Sequence, residues 1–75
     1  MIAYQTKDFS LAVKLIEKAI QIDPTNAAAH LNYGNVLKDL KCFEEALASY
    51  DKAITIQPDY AEAFANKGNV LQELN

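Results

Sequence analysis

The sequence has little positive charge and no long run of apolar residues. Its 75 residues include seven lysines and arginines against ten aspartates and glutamates, for a net charge of −3 at pH 7. A nucleic-acid-binding protein needs a positive surface against the phosphate backbone, and this composition supplies none. A membrane-spanning helix needs roughly 20 consecutive apolar residues, a length that no segment approaches. The expected partners therefore include neither nucleic acid nor a membrane, and no secretory signal peptide is expected.

Cysteine and histidine are also scarce, with one residue of each type, Cys42 and His30. A lone cysteine cannot form an internal disulfide, and together with a lone histidine it cannot complete a metal cluster. We therefore expect no metal and no cofactor, and we expect an intracellular, cytoplasmic location. We also expect no enzymatic activity, because no nucleophile accompanies the acidic pair Glu44 and Glu45. Cys42 is either an activated thiol or an inert one, and His30 either a pH switch or a packing residue. The inert thiol and the packing residue are the favoured interpretations.

Glycine and proline occur only twice each, which argues against disorder and fits a folded helical domain. Both pairs, Gly34/Gly68 and Pro24/Pro58, are separated by 34 residues. A shift of the sequence by this amount brings many other positions into register. A fixed period of this size indicates a helical repeat array.

The period divides the chain, a single domain of residues 1–75, into one complete repeat and two partial ones. Residues 27–60 form the complete repeat. Residues 9–26 supply the second helix of a preceding repeat, and residues 61–75 supply the first helix of a following one.

The spacing of apolar residues predicts an all-α protein of about four helices. The expected helices are 9–22, 27–40, 43–56 and 61–74. Residues 1–8 would be the tail of an earlier helix, and Asp8 would cap the helix that follows. Thr25 or Asn26 would cap the next one. Asp59 and Glu62 have the spacing of a capping box for the last helix.

Gly34 and Gly68 fall in the middle of predicted helices, where glycine costs about 1 kcal/mol relative to alanine. Their recurrence at the same phase indicates that the missing side chain lets another helix approach. Ala46 and Ala53 are the expected facing surface. A bulky residue at Gly34 should therefore destabilise the fold through overpacking.

At this period the sequence resembles the tetratricopeptide repeat. The residues that carry the resemblance are Gly34, Leu37, Ala46, Tyr50, Ala53 and Pro58, and the partial repeats keep the same phase. The resemblance covers essentially the whole chain. It implies antiparallel helix pairs stacked as a right-handed superhelix, an α-solenoid, whose concave groove holds a peptide or a partner protein.

The sequence departs from the family pattern at several positions. His30 and Phe64 stand where the family favours tryptophan, and Lys67 stands where it favours leucine. Lys41 replaces the glycine that commonly closes the first helix of a repeat, so the turn there is expected to carry a left-handed residue.

The segment AEAFANKGNVLQEL, residues 61–74, is similar to repeats of the N-terminal superhelix of O-linked N-acetylglucosamine transferases. In those repeats an asparagine ladder holds the backbone of an extended peptide, a role that the resemblance carries onto Asn32 and Asn66. For Asn35 and Asn69 the alternative is to bridge adjacent helices. The expected groove residues are Asn32, Asn35, Asn66, Asn69, Leu31 and Glu62.

Three functions follow as hypotheses. The favoured one is a non-catalytic protein–protein interaction module with a peptide-binding groove. The alternatives are a substrate-recruiting fragment of a larger glycosyltransferase and a structural, self-associating solenoid segment.

Self-association is expected because the two ends of a short solenoid expose apolar surface. Leu11 and Leu15 lie at one end, and Leu71 and Leu74 lie at the other. The two surfaces differ, so a head-to-tail contact is expected, with a closed or helix-exchanged dimer as the alternative. About three repeats are usually needed for a stable array, so an isolated monomer should be marginally stable.

Overall fold

Four α-helices make up the fold: α1 (Ile2–Ile22), α2 (Ala27–Asp39), α3 (Phe43–Ile56) and α4 (Ala61–Leu74). They are seen in a computed structural model that describes the backbone of residues 2–75 and the side chains of residues 10–75. Each helix packs against the next along the chain, and the α2–α3 contact is the most extensive. Because the turns are short, consecutive helices run antiparallel. The predicted all-α solenoid is confirmed, and the assignment of residues 9–26, 27–60 and 61–75 to separate repeats stays a prediction.

α1 is longer than the repeat pattern predicts. The helix continues without a break from Ile2 to Ile22, so Asp8 lies inside it and does not cap it. The expected break before Phe9 is therefore wrong, although Met1 and the side chains of residues 1–9 lie outside the described part. A turn like the one after α2 would place Lys7 in the left-handed region, at a cost of about 1 kcal/mol. In the part of the chain that the structure describes, α1 packs against α2 alone, so no second helix offsets that cost.

The ends of α2 follow the local sequence closely. Asn26 is the N-cap, and its side-chain oxygen accepts a hydrogen bond of 3.2 Å from the Ala29 N–H. At the other end Lys41 has a φ of 68°, as the missing glycine led us to expect. The Cys42 N–H donates to the Leu37 carbonyl at 2.8 Å, and the Lys41 N–H donates to Lys38 at 2.9 Å. This pair of bonds is a Schellman motif, which turns the chain from α2 into α3.

The expected capping box of α4 is not formed. Tyr60, at the repeat position of Asn26, is the N-cap, and no side-chain hydrogen bond caps the helix. Asp59 lies one residue too early in the turn to serve as the cap. Glu62 remains in the first turn of α4, where its charge favours the helix dipole.

The core lies between α2, α3 and α4. Its fully buried side chains include Tyr50 and Val70, and Tyr50 lies directly against Gly34. A Cβ atom added at Gly34 would lie 2.6 Å from Cε1 of Tyr50, which confirms the predicted close approach. The nearest atoms belong to the Tyr50 ring, however, and not to Ala46 or Ala53 as expected.

Gly68 differs from Gly34 although it has the same repeat position. A Cβ atom added there would meet nothing within 4 Å, so the predicted close approach is absent at this glycine. The reason is that no described helix packs on this side of α4, whereas α3 packs on the corresponding side of α2.

Candidate protein-interaction surface

Asn35 joins three helices through one side-chain oxygen. The Tyr50 hydroxyl on α3 donates to Oδ1 of Asn35 at 2.6 Å, and Nδ2 of Asn66 on α4 donates to the same atom at 2.9 Å. A carboxamide oxygen accepts two hydrogen bonds, so both of its acceptor sites are used. Of the two roles considered for Asn35, the structure shows the bridge between helices, and its carbonyl is not available to a peptide.

The Tyr50 side chain holds this arrangement in place. Burial, together with the nearby negative charge of Asp39, raises the pKa of the Tyr50 phenol to about 12. The hydroxyl therefore remains protonated near neutral pH and keeps donating to Asn35. Because Oδ1 faces two donors, the orientation of the Asn35 amide follows from the hydrogen-bond pattern.

Asn32 and Asn66 occupy the same repeat position on α2 and α4 but have different surroundings. The Asn32 side chain is exposed and makes no hydrogen bond to the described residues. Asn66 is half-buried and donates one N–H to Asn35, which leaves its carbonyl oxygen and its second N–H unpaired within the described part. One amide is thus fully open, and the other is held in a defined orientation.

The other expected groove residues separate into buried and exposed positions. Leu31 is only 3 % exposed and packs in the core, so it offers no surface to a ligand and the prediction that it lines the groove is wrong. The resemblance placed Leu31 on the groove face, but α2 is covered more widely than one apolar stripe requires. Glu62 and Asn69 are exposed, as a surface role requires.

One side-chain contact recurs at equivalent positions in successive repeats. The Tyr33 hydroxyl donates to Oε2 of Glu17 at 3.0 Å, and Nζ of Lys67 lies 2.6 Å from Oδ1 of Asp51. Lys67 is the 34-residue equivalent of Tyr33, and Asp51 is the equivalent of Glu17. Sequence reasoning missed both contacts, although the paired shift of the four residues was visible. The unusual Lys67 thus forms an exposed ion pair, worth at most about 1 kcal/mol.

Burial and the nearby Glu17 carboxylate affect the phenol of this contact. Desolvation, followed by the hydrogen bond to Glu17, raises the pKa of Tyr33 above its ordinary value. The phenol therefore remains a donor to Glu17 at neutral pH.

His30 and Cys42 fit the simpler of their two interpretations. His30 is buried, and its Nε2 lies 3.0 Å from the Pro24 carbonyl, to which it donates in the tautomer that carries the proton there. Cys42 is half-buried, and its Sγ lies 3.9 Å from the Leu40 carbonyl. In residues 10–75, no group of histidine, cysteine, aspartate and glutamate side chains could hold a metal ion.

Large apolar side chains are exposed at both ends of the helix array. The four that were expected to mediate association are Leu11 (57 % exposed), Leu15 (60 %), Leu71 (43 %) and Leu74 (46 %). Phe64 is also half exposed. None of the described helices is long and apolar enough to cross a membrane.

The fold and these contacts define a helical repeat protein, and comparison with known families identifies the repeat. A family model described as TPR repeat matches residues 34–75, which is more than half of the chain. Two further models, both described as tetratricopeptide repeat, match residues 15–48 and 1–26. The chain therefore belongs to the tetratricopeptide repeat family, whose repeats generally mediate protein–protein interaction. No curated protein matches the chain.

Proposed function

We propose that this chain is a non-catalytic protein–protein interaction module that holds an extended peptide, or an extended segment of a partner protein, against α2 and α4. The observation that carries the proposal is the state of the Asn66 side chain. Its carboxamide is oriented by Asn35 while a carbonyl oxygen and an N–H remain unpaired. Asn32 presents the same amide at the equivalent position of α2.

A carboxamide suits a peptide backbone because each side offers one donor and one acceptor to the other. Two amides at one repeat position on successive first helices can bind the backbone at two points along an extended chain. Such contacts do not depend on the peptide's side chains, so the partner is defined by an accessible, extended backbone.

Asn66 is the better prepared of the two amides. Its hydrogen bond to Asn35 restricts the rotamers of the side chain before a ligand arrives. Less conformational entropy is therefore lost on binding than at Asn32. We expect Asn66 to contribute more to the affinity than Asn32.

The negative charge of the surface favours partner segments that are not acidic. Glu62 is exposed in the first turn of α4, and the whole chain has a net charge of −3. Like charges across an interface are unfavourable. The preferred segment is therefore neutral or basic, and acidic segments should bind more weakly.

The test uses short random peptides displayed on phage and selected on the intact chain. Peptides that bind wild type are measured against Asn32→Ala, Asn66→Ala and the double variant. Each lost hydrogen bond is worth on the order of 1 kcal/mol, so the double variant should lose about tenfold or more in affinity while its helicity is unchanged.

Asn69→Ala is the matched control for this experiment. It also removes an exposed amide from α4, but it lies at the repeat position of the bridging Asn35. We expect its affinity for the same peptides to equal that of wild type. Unchanged affinity in the double variant, or an equal loss in the control, would contradict the asparagine ladder.

A substrate-recruiting fragment of a larger glycosyltransferase is the alternative function. It is favoured by the similarity of residues 61–74 to that class of superhelix, and it uses the same two asparagines. A catalytic domain in the same reading frame would decide in its favour. For either function we propose a cytoplasmic location, which the single unpaired cysteine supports.

A further inference from the structure

A small cavity lies between α1, α2 and α3. In the part of the chain that the structure describes, α1 and α3 both pack on α2 but not on each other, and a cavity of about 220 Å³ occupies the gap between them. Its lining comprises Ile20 from α1, His30 and Tyr33 from α2, and Ala48, Ser49 and Lys52 from α3. Because three successive helices form its walls, the cavity lies within the array and not at either of its ends.

The cavity is separate from the proposed peptide groove. Successive residues of an α-helix are rotated by about 100°, which places His30 roughly opposite Asn32 and Asn35 on α2. Asn35 is joined to α4 through Asn66, whereas His30 faces the gap between α1 and α3. A ligand in the cavity therefore leaves the groove free.

Ser49 contributes a nearly buried hydroxyl to the lining. The residue is only 8 % exposed, yet its hydroxyl has no hydrogen-bond partner among the described residues. Every side-chain nitrogen or oxygen that is fully enclosed in this part of the chain does have a partner, so the Ser49 hydroxyl must still face accessible space. The cavity supplies that space. A hydroxyl in this position destabilises the fold, and a ligand that pairs with it would offset the cost.

His30 offers a second polar atom without a partner. Its Nε2 lies 3.0 Å from the Pro24 carbonyl, which can only accept, so the hydrogen-bond pattern assigns the proton to Nε2. Nδ1 of the neutral ring is then an acceptor, and it has no partner among the described residues. His30 is 7 % exposed and lines the same cavity as Ser49. The lining therefore provides one acceptor and one hydroxyl that both donates and accepts.

This polar pair is not a general feature of the repeat. At the repeat position of His30, α4 has Phe64, and at the repeat position of Ser49, α1 has Leu15. The two positions therefore accept apolar residues elsewhere in the chain. Helix packing alone does not explain why both are polar at this cavity.

We propose that the cavity binds a phenol, with its ring in the gap between α1 and α3. The phenol hydroxyl donates to Nδ1 of His30 and accepts from the Ser49 hydroxyl, so that each of the two polar atoms gains a partner. The rest of the lining is mostly apolar and suits the ring. It includes Ile20, Ala48 and the aromatic ring of Tyr33, whose own hydroxyl already donates to Glu17.

The volume of the cavity fits one such ring. About 150 Å³ is enough to hold benzene, so 220 Å³ has room for a benzene ring with a hydroxyl and a short substituent. A ring without a hydroxyl would fill the same space but leave Ser49 and His30 unpaired. The chemistry is shared by a tyrosine side chain of a partner protein and by a free phenolic molecule.

The test is a nuclear magnetic resonance titration of the full chain with p-cresol and with toluene, which differ only in the hydroxyl. We expect p-cresol to bind with a dissociation constant of roughly 1 mM, as suits so small a ligand, and to shift the amide signals of the residues around the cavity. Toluene should bind about tenfold more weakly, because it leaves the two polar atoms unpaired.

Ser49→Ala isolates the hydrogen bond. The variant removes the hydroxyl and adds no volume, so its affinity for p-cresol should fall about tenfold while its affinity for toluene is unchanged. Ser49→Leu should abolish the binding of both compounds, because the larger side chain fills the cavity. Thr55→Ala is the matched control and should bind as wild type does. It removes another hydroxyl from α3, one that donates to the Asp51 carbonyl and lies outside the lining.

N-acetyltyrosine amide distinguishes the two sources of the phenol. Binding at least as tight as that of p-cresol would assign the site to a tyrosine of a partner protein, and binding of p-cresol alone would assign it to a small molecule. The absence of a saturable shift with both phenols would overturn the proposal. So would equal affinities for p-cresol and toluene, or an unchanged affinity for p-cresol in a Ser49→Ala variant whose circular dichroism matches that of wild type.

Discussion

α2 and α4 have glycine and asparagine at the same repeat positions but different neighbours. Gly34 lies under the Tyr50 ring, and Asn35 accepts a hydrogen bond from the Tyr50 hydroxyl. A Cβ atom added at Gly68, by contrast, would meet nothing within 4 Å, and Asn69 is exposed. The two helices have nearly the same sequence signal for a packed face, and among the described helices that face is covered on α2 and not on α4. Burial is therefore a property of the pair of helices, and a repeat pattern predicts which faces are suited to packing rather than which faces are covered.

The largest effect that separates the two helices is expected from a bulky residue at each glycine. Gly34→Leu should lower the free energy of unfolding by about 3 kcal/mol, because the fully buried Tyr50 ring leaves no room and overpacking is costly. Gly68→Leu should instead raise it by up to about 0.8 kcal/mol, because leucine is the better helix former. Urea unfolding at concentrations where the chain is monomeric measures both. Equal destabilisation by the two variants would mean that the faces do not differ.

Alkaline pH should weaken the covered face of α2 through the Tyr50 phenol. The pKa of Tyr50 is raised to about 12 in the folded chain, against about 10 in the unfolded chain, so the folded state favours the protonated phenol. This contribution to stability is complete below about pH 10 and is lost as the pH rises from about 10 to about 12, by roughly 2 to 3 kcal/mol.

Tyr50→Phe isolates that contribution, because the other titrating groups remain. The difference in unfolding free energy between wild type and Tyr50→Phe should be constant up to about pH 10 and shrink above it. Parallel curves over the whole range would contradict a buried, hydrogen-bonded phenol.

A smaller effect is expected at the asparagines. Asn35→Ala should cost about 2 kcal/mol, since it leaves the buried Tyr50 hydroxyl without its acceptor. Asn69→Ala should be neutral or stabilising by a few tenths of a kcal/mol, because alanine favours the helix. Thermal unfolding compares the two variants directly. A comparable loss at Asn69 would show that its surroundings resemble those of Asn35.

Most local features of α2 could be predicted from the sequence. The helices, a cap at Thr25 or Asn26, the left-handed Lys41 and the close approach at Gly34 follow from local rules and the repeat period. The structure confirms them and assigns the cap to Asn26. Local rules were less reliable where a neighbour decides the outcome. They predicted a break before Phe9 and a cap at Asp59, and neither is present.

The candidate site was predicted in part. Its asparagines were identified from the resemblance, yet the shared acceptor atom of Asn35 and the contact of Lys67 with Asp51 depend on distances between helices. Leu31 was expected at the surface because the resemblance assigned it to the groove face. Helical periodicity assigns residues to faces of a helix, and it does not say how many of those faces are covered.

The sequence by itself determined that this chain is an array of tetratricopeptide helices, because a 34-residue period of small, large and proline positions is a local property of the chain. Only the tertiary structure decided that Asn35 is a bridge and that Gly34 is filled whereas Gly68 is open. Those outcomes depend on which helix lies against which face. Glycine and leucine at the same repeat positions are therefore buried in α2, as Gly34 and Leu37, and exposed in α4, as Gly68 and Leu71.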